Sequence, residues 1–341
     1  MTRAAAIDCG TNSIRLLIAD ITTPADGGPV TVTDVVREMR IVRLGQGVDA
    51  TGRFAEEALE RTFAACDDYA ALIREHAPDA VRFVATSASR DAANREEFFA
   101  GIRARFGVEA EVISGLEEAE LSFLGATVGV QAAADPSPAG PFLVMDLGGG
   151  STELVTGDAT AGAALSGAHS MNIGCVRLTE RHLHSDPPTD AEVAATIADI
   201  DAAYDAARAD VDIAGVRTVI GVAGTITTVT AAMLRLDDYV PAAIHAARLP
   251  AEELAATCRE LLHMTREKRA GLPFMHPGRV DVIGSGALIF SRLIERITAD
   301  AGTNPEIYAS ETDILDGIAI GLASRTNRSA GTAAARTATD S

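Results

Sequence analysis

Residues 7–20 read IDCGTNSIRLLIAD and residues 145–158 read MDLGGGSTELVTGD, an offset of 138 positions. Each copy runs an apolar strand into an Asp-x-Gly turn of small residues, and then into a second apolar strand. Asp8 aligns with Asp146, Gly10 with Gly148, Ser13 with Ser151 and Asp20 with Asp158. One such turn alone is an ordinary hairpin. Two with matched flanks, a domain's length apart, predict a duplicated fold with one turn in each half.

The turns carry their own chemistry. Gly10, Thr11, Asn12 and Ser13 in one half, and Gly148, Gly149, Gly150 and Ser151 in the other, let successive backbone N–H groups point into one concavity. Such a nest holds an anion without formal charge. Asp8 and Asp146 would then face phosphates at close range, which is tolerable when a divalent cation lies between them. Glu153 falls where the first copy has Arg15. That asymmetry suits a duplicated cleft turned into a site, with a carboxylate orienting metal or water and a guanidinium holding phosphate oxygens. A plain cross-strand Arg–Glu pair is the alternative.

Outward from the hairpins, the chain alternates helix and strand. Leu59, Phe63, Cys66, Ala70 and Ile73 step by helical spacings, so residues 56–76 form an amphipathic helix. Short strands follow at 81–85, 108–113, 218–222 and 307–310, with helices at 94–106, from about 226, and at 312–323. The pattern predicts an α/β protein with mixed sheets and covering helices. Pro136, Pro138 and Pro141 break the chain ahead of the second hairpin. Domain I is therefore expected over residues 1–126 and domain II over 127–311, with a disordered tail over 326–341.

Composition bounds the function. The chain has 341 residues, or about two domains at ~150 residues apiece. It is 47% apolar and 23% charged, enough for a packed core, which excludes wholesale disorder. With 29 Lys and Arg against 48 Asp and Glu the net charge is −19. Such a chain repels duplex nucleic acid and anionic membrane surfaces, so neither is expected as a partner. An anionic substrate must be held by local donors or a metal ion. Cys9, Cys66, Cys175 and Cys258 have no metal-ligand or disulfide-framework spacing and are expected as buried, reduced thiols. The opening MTRAAAIDCG lacks the apolar core of a signal peptide, and a cytoplasmic protein is expected.

Two carboxylates follow the strand ending at Ile113. Ser114 and Glu117 have capping-box spacing, which gives Glu117 a structural task at a helix start. Glu118 lies about 100° further round, on the side of Ser122 and Gly125. It is either a solvated glutamate or a group projecting into the cleft, where it would take a proton from an attacking water. Arg90 follows a strand end, where side chains enter clefts. Arg266, Lys268, Arg269 and Arg279 cluster on an expected loop that either contacts substrate or balances nearby acids.

Four ordered motifs now stand together: DCGTNSIR at residues 8–15, ATSASRDAAN at 85–94, SGLEEA at 114–119 and DLGGGSTE at 146–153. Over residues 4–325 the chain resembles the exopolyphosphatase/guanosine pentaphosphate phosphohydrolase family, within the superfamily of acetate kinase, sugar kinases, Hsp70 and actin. The resemblance implies two actin-like (ribonuclease H-like) domains with mixed five-stranded sheets and an active site in the cleft between them. The helix over 312–325 would return to the first domain, and Ala223-Gly-Thr is similar to the superfamily's adenosine-side motif. It further implies removal of terminal orthophosphate from inorganic polyphosphate, with Mg²⁺ or Mn²⁺ as cofactor, and a homodimer. By motif position Glu118 matches the general base, and Asp146 and Glu153 match catalytic and metal-organising carboxylates. Asp8 matches the first-domain metal aspartate, and Arg90 matches a phosphate-contacting arginine.

Ending near residue 341, the chain is expected to lack the extra helical domains of longer members, and a preference for short polyphosphates is expected with it. Rival readings are a guanosine pentaphosphate hydrolase, a small-molecule phosphotransferase of the same fold, and a non-enzymatic actin-like scaffold.

Overall fold

The computed structural model describes residues 1–24, 30–158 and 164–339. Among the described residues, ten strands form two sheets. The first contains β1 (Thr2–Cys9), β2 (Ser13–Thr22), β3 (Thr31–Ile41), β4 (Ala80–Ala85) and β5 (Ala110–Val112), in the order β3-β2-β1-β4-β5. The second contains β6 (Phe142–Leu147), β7 (Thr152–Asp158), β8 (Ala164–Met171), β9 (Thr218–Val222) and β10 (Glu306–Ala309), in the order β8-β7-β6-β9-β10. In each, three antiparallel strands are extended by two more that run parallel to the first. Even the irregularity repeats. Register slips between Ile18 and Ala19 in β2 and between Thr156 and Gly157 in β7, at the same 138-residue offset. The duplication predicted from two hairpins therefore extends over whole sheets.

Two helices stitch the lobes together. The first linking helix, Gly115–Ala133, leaves the first sheet but lays Ala119, Phe123, Ala126 and Val130 on Phe142, Val144, Val155, Ile220 and Val222 of the second. The domain division expected after residue 126 falls inside it. The second linking helix, Ile314–Thr339, returns and packs Ile314, Leu315, Ile318 and Ala319 on Ala4, Ala6, Leu17 and Ala19 of the first sheet. The disordered tail expected over 326–341 is helical through Thr339, where an Ala-rich, proline-free sequence extends a helix already nucleated by packing. Residues 340–341 lie outside the described residues. The outer faces of both sheets carry the larger cores, with Glu56–His76 over the first and Ile283–Ala301 over the second.

Smaller differences have local causes. β5 is only three residues long because Gly107, at φ 68°, ends the preceding helix in a left-handed turn and the strand forms late. The stretch after β4 is a short helix, Ser87–Asp91, and the expected basic loop contains another, Arg266–Ala270. All four cysteines are buried and free. Among the described residues no helix is long and apolar enough to cross a membrane.

Candidate active site

The Asp-x-Gly turns close identically. The Gly10 N–H donates to Ser13 O at 3.0 Å, and the Gly148 N–H donates to Ser151 O at 3.0 Å. Behind each turn the carbonyls are tied back. Thr11 O accepts from Gly45 N, and Asn12 O accepts from Val42 N and Arg43 N. Gly148 O accepts from Cys175 N, Gly149 O from Val176 N and Arg177 N, and Gly150 O from Arg177 Nε. In a trans peptide the C=O and the next N–H point opposite ways. The amides of Asn12 and Ser13, and of Gly149, Gly150 and Ser151, are thereby turned to the other side.

The turns also abut. A Cβ on Gly149 would lie 3.1 Å from Thr11 Cβ, and one on Gly150 would lie 2.7 Å from both Thr11 Oγ1 and Ser87 Oγ. Both turns line one cavity, so a single chain of phosphates can touch both lobes.

The register explains the Arg15/Glu153 asymmetry. Arg15 sits opposite Asp8 in the β1–β2 ladder, and Glu153 opposite Asp146 in the β6–β7 ladder. In the first lobe this gives an ion pair, Arg15 Nη2 to Asp8 Oδ2 at 2.6 Å, and Arg15 also pairs with Asp313. In the second lobe the same positions hold two carboxylates. Each has found a hydroxyl: Ser122 donates to Asp146, and Ser170 donates to Glu153 Oε1 at 2.6 Å. An Arg15–Glu153 pair does not form.

Burial governs the charges. It pushes the Asp146 carboxyl up to about 7, with Asp313 adding repulsion and the Ser122 hydrogen bond opposing it. It pushes Glu118 up to about 7, against the pull of Arg90 and with help from Asp8. Glu153 is driven well above the carboxylate range by burial, then by Glu118 and Asp146. Asp8 is raised by burial, which Arg15 partly offsets. Several acids therefore crowd one buried site, which selects for a cation or for shared protons.

Glu118 is 8% exposed, on the buried face with Ser122 and Gly125, and not a solvated surface group. The capping box expected beside it is half made. Ser114 Oγ accepts from Glu117 N, but Glu117 Oε1 accepts from Arg82 instead of reaching back.

Of the residues expected in the site, Asp8, Gly10, Thr11, Asn12, Ser13, Arg15, Glu118, Asp146, Gly148, Gly149 and Ser151 line the cavity. Arg90, Gly150 and Glu153 stand one layer behind. Arg90 Nη1 donates to Glu118 Oε2 at 2.8 Å and to Ile113 O at 3.0 Å. Of the four basic residues near Gly271, Arg279 alone reaches the cavity, over the Tyr239 ring and bonded to Thr228 Oγ1 at 2.9 Å. Arg266 and Arg269 pair with Asp281 and Asp186. Sequence reasoning passed over Ser122, Ser170 and Asp313. Ser122 was visible as a helical neighbour of Glu118, whereas Ser170 arrives from β8 and Asp313 from the far end of the chain.

The chain matches the model of the Ppx/GppA phosphatase family over residues 21–319. It is similar to exopolyphosphatase 2 of Mycobacterium tuberculosis, 51% identical over 328 residues, covering 95% of this chain and 99% of that one. A crystal structure of an exopolyphosphatase-like protein superposes with a TM-score of 0.87 at 48% identity, covering 94% of this chain and 97% of that one. A crystal structure of the Ppx/GppA member from Aquifex aeolicus superposes at 0.76 with 29% identity, covering 96% and 99%. Duplicated sheets, paired turns and an acid-rich cleft thus coincide with a near-full-length match: the chain belongs to the Ppx/GppA phosphatase family.

Proposed function

We propose that this chain is an exopolyphosphatase that hydrolyses the terminal phosphoanhydride of inorganic polyphosphate. The observation carrying the reading is the placement of two carbonyl-tethered turns, one per lobe, on the same cavity wall as the buried Glu118. The near-full-length likeness to exopolyphosphatase 2 supports it.

The inward amides of Asn12, Ser13, Gly149 and Ser151 hold successive phosphates by hydrogen bonds that need no reorganisation. Glu118, fixed by Arg90, takes one proton from water as the oxygen attacks the terminal phosphorus. The bond to the bridging oxygen breaks, releasing orthophosphate and a chain one unit shorter. Arg15 and Arg279 offset negative charge on the chain beyond the reacting group.

A divalent cation fits the donor set in one form. Asp8 Oδ1 is buried without a hydrogen-bond partner, a hard oxygen with spare capacity. Among the described residues no three His, Cys, Asp or Glu side chains converge on one point, so a closed protein cage is not built. Mg²⁺ characteristically takes one or two carboxylates and completes its shell with water and substrate phosphates. Asp8 and Asp146 would hold it, with Glu153 acting through the field around Asp146. Such an ion, when bound, neutralises charge on the transferring phosphoryl group. Mn²⁺ suits the same oxygens. Chelation should abolish turnover and either ion should restore it. The expected homodimer is part of the same proposal, tested by its mass in solution.

A second reading is a guanosine pentaphosphate hydrolase, favoured by one observation. Past Arg15, Ala223, Gly224 and Arg279 the cleft opens into a further chamber of about 460 Å³, lined partly by Tyr239, Phe274 and Met275. A base could stack there. The same chamber sets Glu38, Asp238, Glu311 and Asp313 against Arg15, Arg37 and Arg279, a near balance of charge that gives little net attraction to extra phosphates and so favours short polyphosphate chains. Initial rates of orthophosphate release from short polyphosphates and from guanosine pentaphosphate decide between the readings. Faster turnover of the nucleotide would overturn the first.

A further inference from the structure

Helix Ile283–Ala301 begins at Val282 with no side chain capping it. Its first turn divides two cavities. Val282 and Ile283 face the catalytic one, while Gly284 and Ser285 face another of about 250 Å³. Two residues that line this second cavity each hold a buried polar atom without a hydrogen-bond partner: Nε of Arg269, a residue 6% exposed, and Oγ of Ser285, 1% exposed. The Arg269 guanidinium lies against Gly284, where a Cβ would stand 2.8 Å from Nη1. A buried cation, paired through Nη2 with Asp186, thus rests on the positive end of a helix dipole, an arrangement that an anion stabilises.

The two carboxylates on the wall are already engaged. Asp186 accepts from Arg269 Nη2 at 3.0 Å and from the Arg266 amide at 2.9 Å. Asp281 accepts from Arg266 Nε at 2.5 Å and from Arg43 Nη2 at 3.0 Å across the lobes. The unsatisfied groups on this wall are donors: a guanidinium N–H, a hydroxyl and an uncapped helix start.

We infer that this cavity is a second anion site, built for one free tetrahedral oxyanion. Orthophosphate is the natural occupant because the proposed reaction releases it. That last clause rests on the functional reading, but the anion chemistry does not. The site is separate from the catalytic residues, and deleting its hydroxyl leaves the phosphate-gripping turns and Glu118 untouched.

Equilibrium dialysis of the full chain with labelled orthophosphate should count two sites per chain. Ser285→Ala should weaken one of them about tenfold or more, as expected for a lost hydrogen bond to a charged group, and Arg269→Met should abolish it. Polyphosphate hydrolysis by Ser285→Ala should stay within about twofold of the parent. Because Arg269→Met leaves Asp186 without its guanidinium and could misfold, Ser285→Ala carries the test. Without phosphate it should melt at or above the parent's temperature, since it removes a buried unpaired hydroxyl. It should also lose most of the phosphate-induced rise in melting temperature.

One site per chain, unchanged affinity in Ser285→Ala, or density for water alone in a tungstate-soaked crystal would each overturn the inference. Displacement of the bound ion by tripolyphosphate in a Glu118→Gln background would assign the site to chain ends and overturn the free-ion assignment. A chain that binds two orthophosphates yet hydrolyses no polyphosphate would sink the functional reading and leave this one standing.

Discussion

Gly125 and Gly317 meet backbone to backbone where the two linking helices cross. A Cβ on Gly125 would stand 2.9 Å from the Gly317 nitrogen and overlap the Asp313 carbonyl. The crossing matters to the site because Asp313 holds Arg15 and its charge bears on Asp146. Gly125→Ala should destabilise the protein by about 1–3 kcal/mol, the usual cost of overpacking. Gly321→Ala is the control. Its Cβ would meet only Leu121 Cδ2, at 4.0 Å, and it should be neutral or stabilising by up to ~1 kcal/mol. Urea unfolding of both variants checks the contrast.

The raised Glu118 carboxyl sets an acid limb. A base must be ionised to work, so kcat/KM should rise with pH through about 7, where burial places this group. Arg90 favours the ionised form, and removing it should raise the Glu118 value further. In Arg90→Met the limb should therefore move to higher pH, together with a fall in kcat. A pH–rate profile with the limb unmoved would show that Arg90 does not act through Glu118.

Site acids should cost stability, with a definite pH dependence. Asp146 titrates at about 7 when folded, against about 3.9 for an unperturbed aspartate. Its folded-state value is raised, so its contribution is fully present below about 4 and is lost as pH rises towards 7. With divalent ions chelated, Asp146→Asn should melt above the parent at pH 8 and close to it at pH 4, while losing activity. Thermal melts at the two pH values test the sign.

Arg279 divides the catalytic cavity from the wider chamber. In the proposed mechanism Arg279→Gln removes a charge that meets the bound chain away from the reacting phosphorus. KM for short polyphosphate should rise about tenfold or more, on the scale of a lost charge-assisted hydrogen bond, while kcat changes little. A pure kcat loss would place Arg279 at the reaction centre.

Much of this was legible because the fold is written twice. Two hairpins 138 residues apart predicted matching sheets, and matched register puts Asp8 opposite Arg15 just as it puts Asp146 opposite Glu153. Glu118 was legible as a helix position whose neighbours Ser122 and Gly125 form no apolar stripe. The layer behind the cavity was not legible. Arg90 projects from a short helix onto Glu118, and Ser170 reaches Glu153 from an adjacent strand; side-chain direction of that kind is set by tertiary packing and not by local pattern. The packing partner of the first linking helix was not legible for the same reason. Its apolar residues show that it is covered, but not that the second sheet covers it.

The most direct measurement is orthophosphate release from polyphosphates of defined length by the parent and by Glu118→Gln, with tripolyphosphate binding followed in parallel. The variant should bind and fold as the parent does, while its turnover falls by about 10²–10⁴, the range of a lost general base. Turnover within tenfold of the parent would contradict the assignment of Glu118 as the group that activates water.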